Sequence, residues 1–352
     1  MSSTTHYTYL PSALIVYVQM YRMAREWVRP ADEYVCRLSK ETQELARVEL
    51  REDPATRQHA LQQMRSWITS NPRIVNCRLD ANFLLRFLRT KKFSCPMAQE
   101  SLERYLLLRQ TFSHAFRNLD INNPRMDYLI SAGYVFATPQ RDKLGRRVVI
   151  YRPGVFDPYK FTNEDMCRVH GIAWETLMEC EENQVRGYVH FGDGAGVGLP
   201  YLTLFTPREA VRIVKNGERT LPMRHKEVHG FNIHPSLKYA LDFGFSLITE
   251  KIKKRIKLYT CVEDTLDFID RKLLPKEYGG VMPMADMITL WKEELRQSRD
   301  ILLANDEMKI REEMYSAAAK EGAVSALKKG MYCGRENDMF GITGSFRKLE
   351  VD

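Results

Sequence analysis

PSLKYALDFGFSLITEKIKKRIKLYTC, residues Pro235 to Cys261, reads as a helix that runs through a basic segment into a strand. Leu237, Leu241, Phe245, Ile248 and Ile252 fall three or four residues apart, the spacing of one helical face. Ala240, Phe243 and Leu247 form a second apolar row, so only a strip around Lys238 and Asp242 is polar. A helix apolar on most sides is either buried or covers something apolar. Lys251, Lys253, Lys254, Arg255 and Lys257 follow, five cations in seven residues, and Ile256–Cys261 then has the β-branched and aromatic texture of a strand. An apolar cover joined to a cationic edge describes a chain that hides a greasy ligand and touches an anionic surface.

Four more strand-like runs lie upstream, at Tyr134–Thr138, Arg147–Tyr151, Gly187–Phe191 and Glu227–Asn232. Helix-length periodic segments, Asn163–Glu182 and Pro207–Glu218, separate several of them, and strands alternating with helices pair in parallel. The first two strands are joined by the turn-rich loop Pro139–Gly145, which suits an antiparallel hairpin. The expectation is an α/β fold with a mixed, mainly parallel five-stranded sheet. Before it, Leu61, Met64, Trp67 and Ile68 predict a short helix from Ala60, after a breaker at Asp53-Pro54 and ending near Asn71-Pro72. Asp80 caps a helix carrying Phe83, Leu84, Phe87 and Leu88, with Arg86, Arg89, Lys91 and Lys92 on its exposed side. Ser94 and Pro96 start another, from Met97 to about Phe112. After the last strand, Glu263–Ile269 reads as helix, Leu274–Gly280 as a turn, and residues 285–329 as charged helices before a Gly-rich polar tail. The expected division is an extension over 1–45, a helical module over 46–125, the sheet domain over 126–285 and a tail over 286–352.

Composition narrows the function. The 352 residues are 44% hydrophobic and 11% aromatic, ample for a core, and the net charge of +8 favours anionic partners. No recognition-helix, finger or ribonucleoprotein pattern accompanies that charge, so acidic lipid is expected over nucleic acid. The seven scattered cysteines include no CxxC pair and read as reduced thiols. No apolar run reaches the ~18–20 residues of a membrane span. The nearest, Tyr9–Tyr21, lacks the preceding cations and cleavage site of a signal peptide and reads as an amphipathic extension. Gly192–Gly198 breaks the GxGxxG register and reads as a loop. His225, His229 and His234 have no carboxylate partner at a metal-site spacing, and no GxSxG nucleophile is present. Neither a metal, a cofactor nor an enzyme activity is expected.

Several motifs together resemble the CRAL-TRIO lipid-binding family. Phe83-Leu-Leu-Arg-Phe-Leu-Arg89 with Lys91-Lys92-Phe93 is similar to its N-terminal helical module. Gly145–Arg152, Asp193–Gly196, Leu221–Arg224, Leu247–Ile256 and Leu274–Gly280 are similar to successive signatures of its lipid-binding domain, in order, from about 60 to 285. The branch most resembled is the tocopherol-transfer and retinaldehyde-binding group, especially its insect-like members. The resemblance implies a sheet flooring a deep apolar pocket, closed by a lid helix at Pro235–Ile248. It also implies pocket positions at His170, Trp174, Tyr188, Ile213, Leu221, Val228, Phe243 and Leu247. A phosphatidylinositol bisphosphate site is implied at Lys91, Arg224, Lys226, Lys251 and Arg255. His170 and Trp174 replace small hydroxyl residues, Asn216 and Gly217 replace apolar wall residues, and Phe245 replaces a lysine. The ligand therefore stays open among tocopherol-like, retinoid, sterol, carotenoid and phospholipid molecules. The implied role is a cytoplasmic carrier that associates reversibly with membranes. The alternatives are a lipid-regulated scaffold acting through 285–352, and an α/β enzyme using the 192–198 loop.

Overall fold

In the computed structural model, which describes residues 34–204, 211 and 220–320, side-chain caps and prolines start the N-terminal helices. Ser39 caps α1 (Lys40–Leu45), which widens into a π-helical turn, Ala46–Leu50, and stops at Arg51 in the left-handed region. Asp53 accepts from the Thr56 N–H, and Pro54 takes the first position of α2 (Pro54–Ser70), where its missing N–H costs nothing. The Asp53-Pro54 pair thus starts a helix well before Ala60, where the sequence reading placed a breaker. A short strand, β1 (Ile74–Asn76), precedes α3 (Ala81–Thr90), which Asp80 caps as expected. Then come α4 (Cys95–Thr111), α5 (Ser113–Phe116) and α6 (Pro124–Ser131).

Arg86 and Arg89 are fully buried, contrary to the expectation of an exposed basic face. They belong to an ion network whose carboxylates lie far away in sequence. Arg89 holds Glu52 through two nitrogens at 2.9 Å, and Arg86 Nη2 and Arg78 Nη1 each reach Glu179 at 2.6 Å. Tyr105 donates to Glu175 at 2.6 Å. Buried charge is tolerable only when paired with opposite charge, as it is here.

The sheet follows: β2 (Val135–Arg141), β3 (Arg147–Tyr151), α7 (Asn163–Met178), α8 (Glu181–Arg186), β4 (Tyr188–Asp193) and β5 (His225–Phe231). Beyond it lie α9 (Lys238–Leu247), α10 (Glu250–Lys253), β6 (Ile256–Leu258), α11 (Met284–Ala304), β7 (Lys309–Ile310) and α12 (Ala317–Lys320). The five strands lie in the order β2-β3-β4-β5-β6, with β2 antiparallel to β3 and the other pairs parallel. This is the mixed sheet expected. The segment read as one helix over Asn163–Glu182 breaks after Met178 into α7 and α8, and of Glu263–Ile269 only the 3-10 turn Glu263–Thr265 is helical. The expected helix Pro207–Glu218 lies outside the described residues except at Val211, and so do Tyr9–Tyr21 and the end of the chain from 321.

The largest departure is α11. The sequence reading took 285–329 as charged helices in a tail set apart from the sheet domain, yet Met287, Trp291, Leu295 and Leu302 are buried in the same core as the sheet and α3. Their three-to-four spacing puts one apolar stripe inward beneath a charged exterior. Just after α11, β7 pairs with β1, Ile310 opposite Ile74, closing the chain back onto the helical module. Residue 285 is therefore not a packing boundary.

Candidate functional site

Parallel register aligns Val149, His190, Val228 and Ile256 across four strands, and Tyr151, Gly192, Gly230 and Leu258 in the next row of the same face. Side chains alternate along a strand, so Tyr188 shares this face with His190. Val228 and Ile256 are apolar and only half-buried. A Cβ placed on Gly192 would meet nothing closer than the His229 carbonyl at 3.8 Å, so the floor is low at its centre.

Helix α7 lays His170 and Trp174, one turn apart, against one side of this floor, their rings stacked 5.2 Å apart at 8°. A chain of polar atoms runs from there. Trp174 Nε1 donates to the Tyr151 hydroxyl at 3.1 Å, which lies 3.2 Å from His190 Nδ1. His190 Nε2 is 2.8 Å from His225 Nδ1, and Tyr134 Oη is 3.1 Å from His170 Nε2. An indole N–H only donates, so the tyrosine oxygen accepts from it, while the directions of the Tyr151–His190 and His190–His225 bonds follow the histidine tautomers. Burial lowers His170 to a pKa of about 4 and pushes the Tyr151 phenol up to about 12. Burial, reinforced by His225 and His170, also holds His190 well below the usual histidine range. The floor is therefore neutral near pH 7: apolar, crossed by uncharged hydrogen-bonding groups.

The expected pocket residues divide into three sets. His170, Trp174, Tyr188 and Val228 share the floor just described, Tyr188 with its hydroxyl turned to the Leu177 carbonyl at 3.1 Å. Leu221 is buried in the main core. Ile213, like Asn216 and Gly217, lies outside the described residues. Phe243 and Leu247 lie on α9, none of whose side chains is fully buried, and Leu247 is half-buried. Phe243 is 41% exposed, and a Cβ on Gly244 would meet nothing within 4 Å. The mostly apolar helix is thus only partly buried, with Leu241, Phe245 and Leu247 half-covered.

The cations expected to bind an anionic headgroup fall around the base of α9. Arg224 and Lys226, at the start of β5, both hold Glu49, at 2.6 and 3.2 Å. Arg255 donates to the His225 carbonyl in the same strand. Burial, then Arg224, keeps the Lys226 ammonium below its usual range, with Arg255 adding to the effect. Lys91, just after α3, is lowered by burial, then Arg104, with Lys251 a further contributor. Sequence reasoning missed Glu49, which carries no signal in its own neighbourhood. It also missed Tyr151 and His190, although His190 stands two residues from Tyr188 and alternation alone places both on one face.

Residues 131–280 match the CRAL/TRIO domain, and residues 53–126 match a Pinta-like UBA domain. The human alpha-tocopherol transfer protein-like protein is 31% identical over 268 residues, 76% of this chain and 78% of the relative. Human clavesin-2 is 28% identical over 289 residues (81% and 86%), and Xenopus laevis clavesin-1 is 30% identical over 263 residues (73% and 78%). The crystal structure of Sfh5 aligns with a TM-score of 0.47 at 11% identity, over 71% of this chain and 99% of that one. The chain belongs to the CRAL-TRIO family of lipid-binding transfer proteins.

Proposed function

We propose that the protein is a carrier that encloses a hydrophobic small molecule between the sheet and α9 and exchanges it at membranes containing phosphatidylinositol bisphosphate. One observation carries this reading: a mostly apolar helix left partly exposed, a half-buried apolar row on the sheet, and cations of the module, β5 and the segment past α9 close enough to act on one another. His170, Trp174, Tyr188, Leu221 and Val228 are the floor and wall positions, and Phe243 and Leu247 meet the ligand when α9 closes; Ile213 is retained as a wall position from the sequence. The neutral floor suits an uncharged isoprenoid-like molecule of the tocopherol or retinoid kind, or the chains of a phospholipid. Enclosing such a molecule removes a few hundred Å² of apolar surface from water, at ~25 cal/mol/Å², before ordering costs. No helix among the described residues is long and apolar enough to cross a membrane. Contact with the bilayer is then peripheral and reversible, with each cation near an acidic surface worth about 1 kcal/mol.

Lys91, Arg224, Lys226, Lys251 and Arg255 form the headgroup site. Lys251 and Arg255 lie just past α9, so a headgroup that engages them better in the open state favours opening, as linkage requires. Replacing Lys251 and Arg255 by Ala is expected to lower transfer to bisphosphate-containing vesicles severalfold while a fluorescent lipid still binds. Unchanged transfer sinks the role of the cationic edge. A scaffold acting through 285–352 is the weaker reading, because the apolar stripe of α11 is occupied by the core.

A further inference from the structure

Glu49 projects from the π-helical turn Ala46–Leu50, and this turn is firmly anchored. Ala46 and Leu50 pack with Leu38 and Val185, Thr42 donates to Glu182 at 2.7 Å, and Glu52 holds the buried Arg89. The Glu49 side chain is 37% exposed, so its carboxylate can swing into water while the turn stays in place. Burial would raise its carboxyl group, but the hydrogen bonds from Arg224 and Lys226 prevail and hold it below the usual range. Arg224 and Lys226 both pair with this one carboxylate, at 2.6 and 3.2 Å, so two cations share a single negative charge.

A tethered carboxylate competes with any arriving anion at an effective concentration on the order of millimolar. A singly charged lipid headgroup that displaces Glu49 exchanges one charge for one and gains little. A group with two phosphates has Lys91, Lys251 and Arg255 to engage as well, and loses proportionately less to the competitor. We propose that Glu49 is an internal competitor seated on Arg224 and Lys226, which restricts the cationic edge to multiply charged phosphate groups. The proposal rests on the reading of this edge as a headgroup site.

The test uses the full chain and three probes: phosphatidylcholine vesicles with phosphatidylinositol bisphosphate, vesicles with phosphatidylserine at matched charge, and soluble inositol bisphosphate. Glu49→Gln preserves the side-chain shape, and Glu49→Ala is the second variant should the first fail to fold. Removing the competitor is expected to tighten binding to phosphatidylserine vesicles about tenfold and to both bisphosphate probes about threefold, lowering the selectivity between them. Glu44→Gln removes the same charge from a surface pair with Arg47, and is expected to stay within about twofold of the parent. Equal gains from Glu44→Gln and Glu49→Gln overturn the proposal, since net charge alone would then account for them. A gain confined to vesicles overturns displacement by phosphate. An unchanged Glu49→Gln variant, with the parent still binding bisphosphate, overturns the competitor and leaves the headgroup site standing. If the parent binds neither bisphosphate probe, the site itself falls and the proposal with it.

Discussion

Tyr151 is satisfied from two sides, accepting from Trp174 and facing His190. Tyr151→Phe keeps the ring and removes both partners' hydrogen bonds, stranding an indole N–H and an imidazole nitrogen. A loss of about 1–3 kcal/mol in urea unfolding is expected, because buried polar groups left unpaired cost their full desolvation. His170 adds a pH signature. Its pKa of about 4 lies below the ordinary histidine value of 6.5, so the unfolded chain binds the proton more readily. Its contribution is fully present above pH 6.5 and is lost as pH falls toward about 4. His170→Gln is expected to flatten the stability profile across that window, while an identical slope would show that His170 is not held neutral. In the sequence the histidines of β5 showed no spacing that gave them a role. What the sequence concealed is that His225 joins His190, a contact that depends on the parallel register of β4 and β5.

At the scale of elements, legibility followed periodicity. The strands and most helices were readable because alternation and three-to-four spacing are local properties. Their ends were less so: Pro54 begins α2 instead of ending a segment, since the same residue that breaks a helix interior fits its first turn. Helix α11 was read as a charged helix, and its packing into the main core was missed because its charged exterior dominates the composition while its stripe is sparse. Trp291, 1% exposed, is the centre of that stripe, and Trp291→Ala is expected to cost about 3–5 kcal/mol in chemical denaturation. Helix α9 should behave in the opposite way. Phe243→Ala, at a side chain 41% exposed, is expected to change the stability of the lipid-free protein by less than about 0.5 kcal/mol. The same substitution is expected to speed lipid release if α9 closes over the ligand. A large loss of lipid-free stability would show that α9 is already packed shut.

At the scale of the whole molecule, the buried ion network sets what can move relative to what. Glu175 and Glu179 belong to the α7 side of the sheet, whereas Arg78, Arg86 and Arg109 come from the helical module. Side chains separated by some ninety residues in sequence thus fasten the two parts together, which no local pattern announces. The consequence for function is geometric: Lys91 and Glu49 on the module keep a fixed relation to Arg224 and Lys226 on the sheet, while Lys251 and Arg255 lie just past α9. The fastening also has an acid limit. Burial by itself would raise the Glu179 carboxyl, but the charges of Arg78 and Arg86 outweigh it and lower the pKa from 4.5 to about 2. The unfolded chain therefore takes up this proton first, so the stabilisation is complete above pH 4.5 and disappears as pH falls to about 2. Glu179→Gln leaves Arg78 and Arg86 buried beside a neutral amide, and breaking a buried pair in this way costs about 3–5 kcal/mol. Measured by thermal unfolding from pH 7 down to 2, the variant is expected to start lower and to lose less between 4.5 and 2 than the parent. Because module and sheet share one core, both proteins are expected to unfold in a single transition. Two separate transitions in the parent would show that the network does not couple the two parts, and would remove the basis for a headgroup site shared between them.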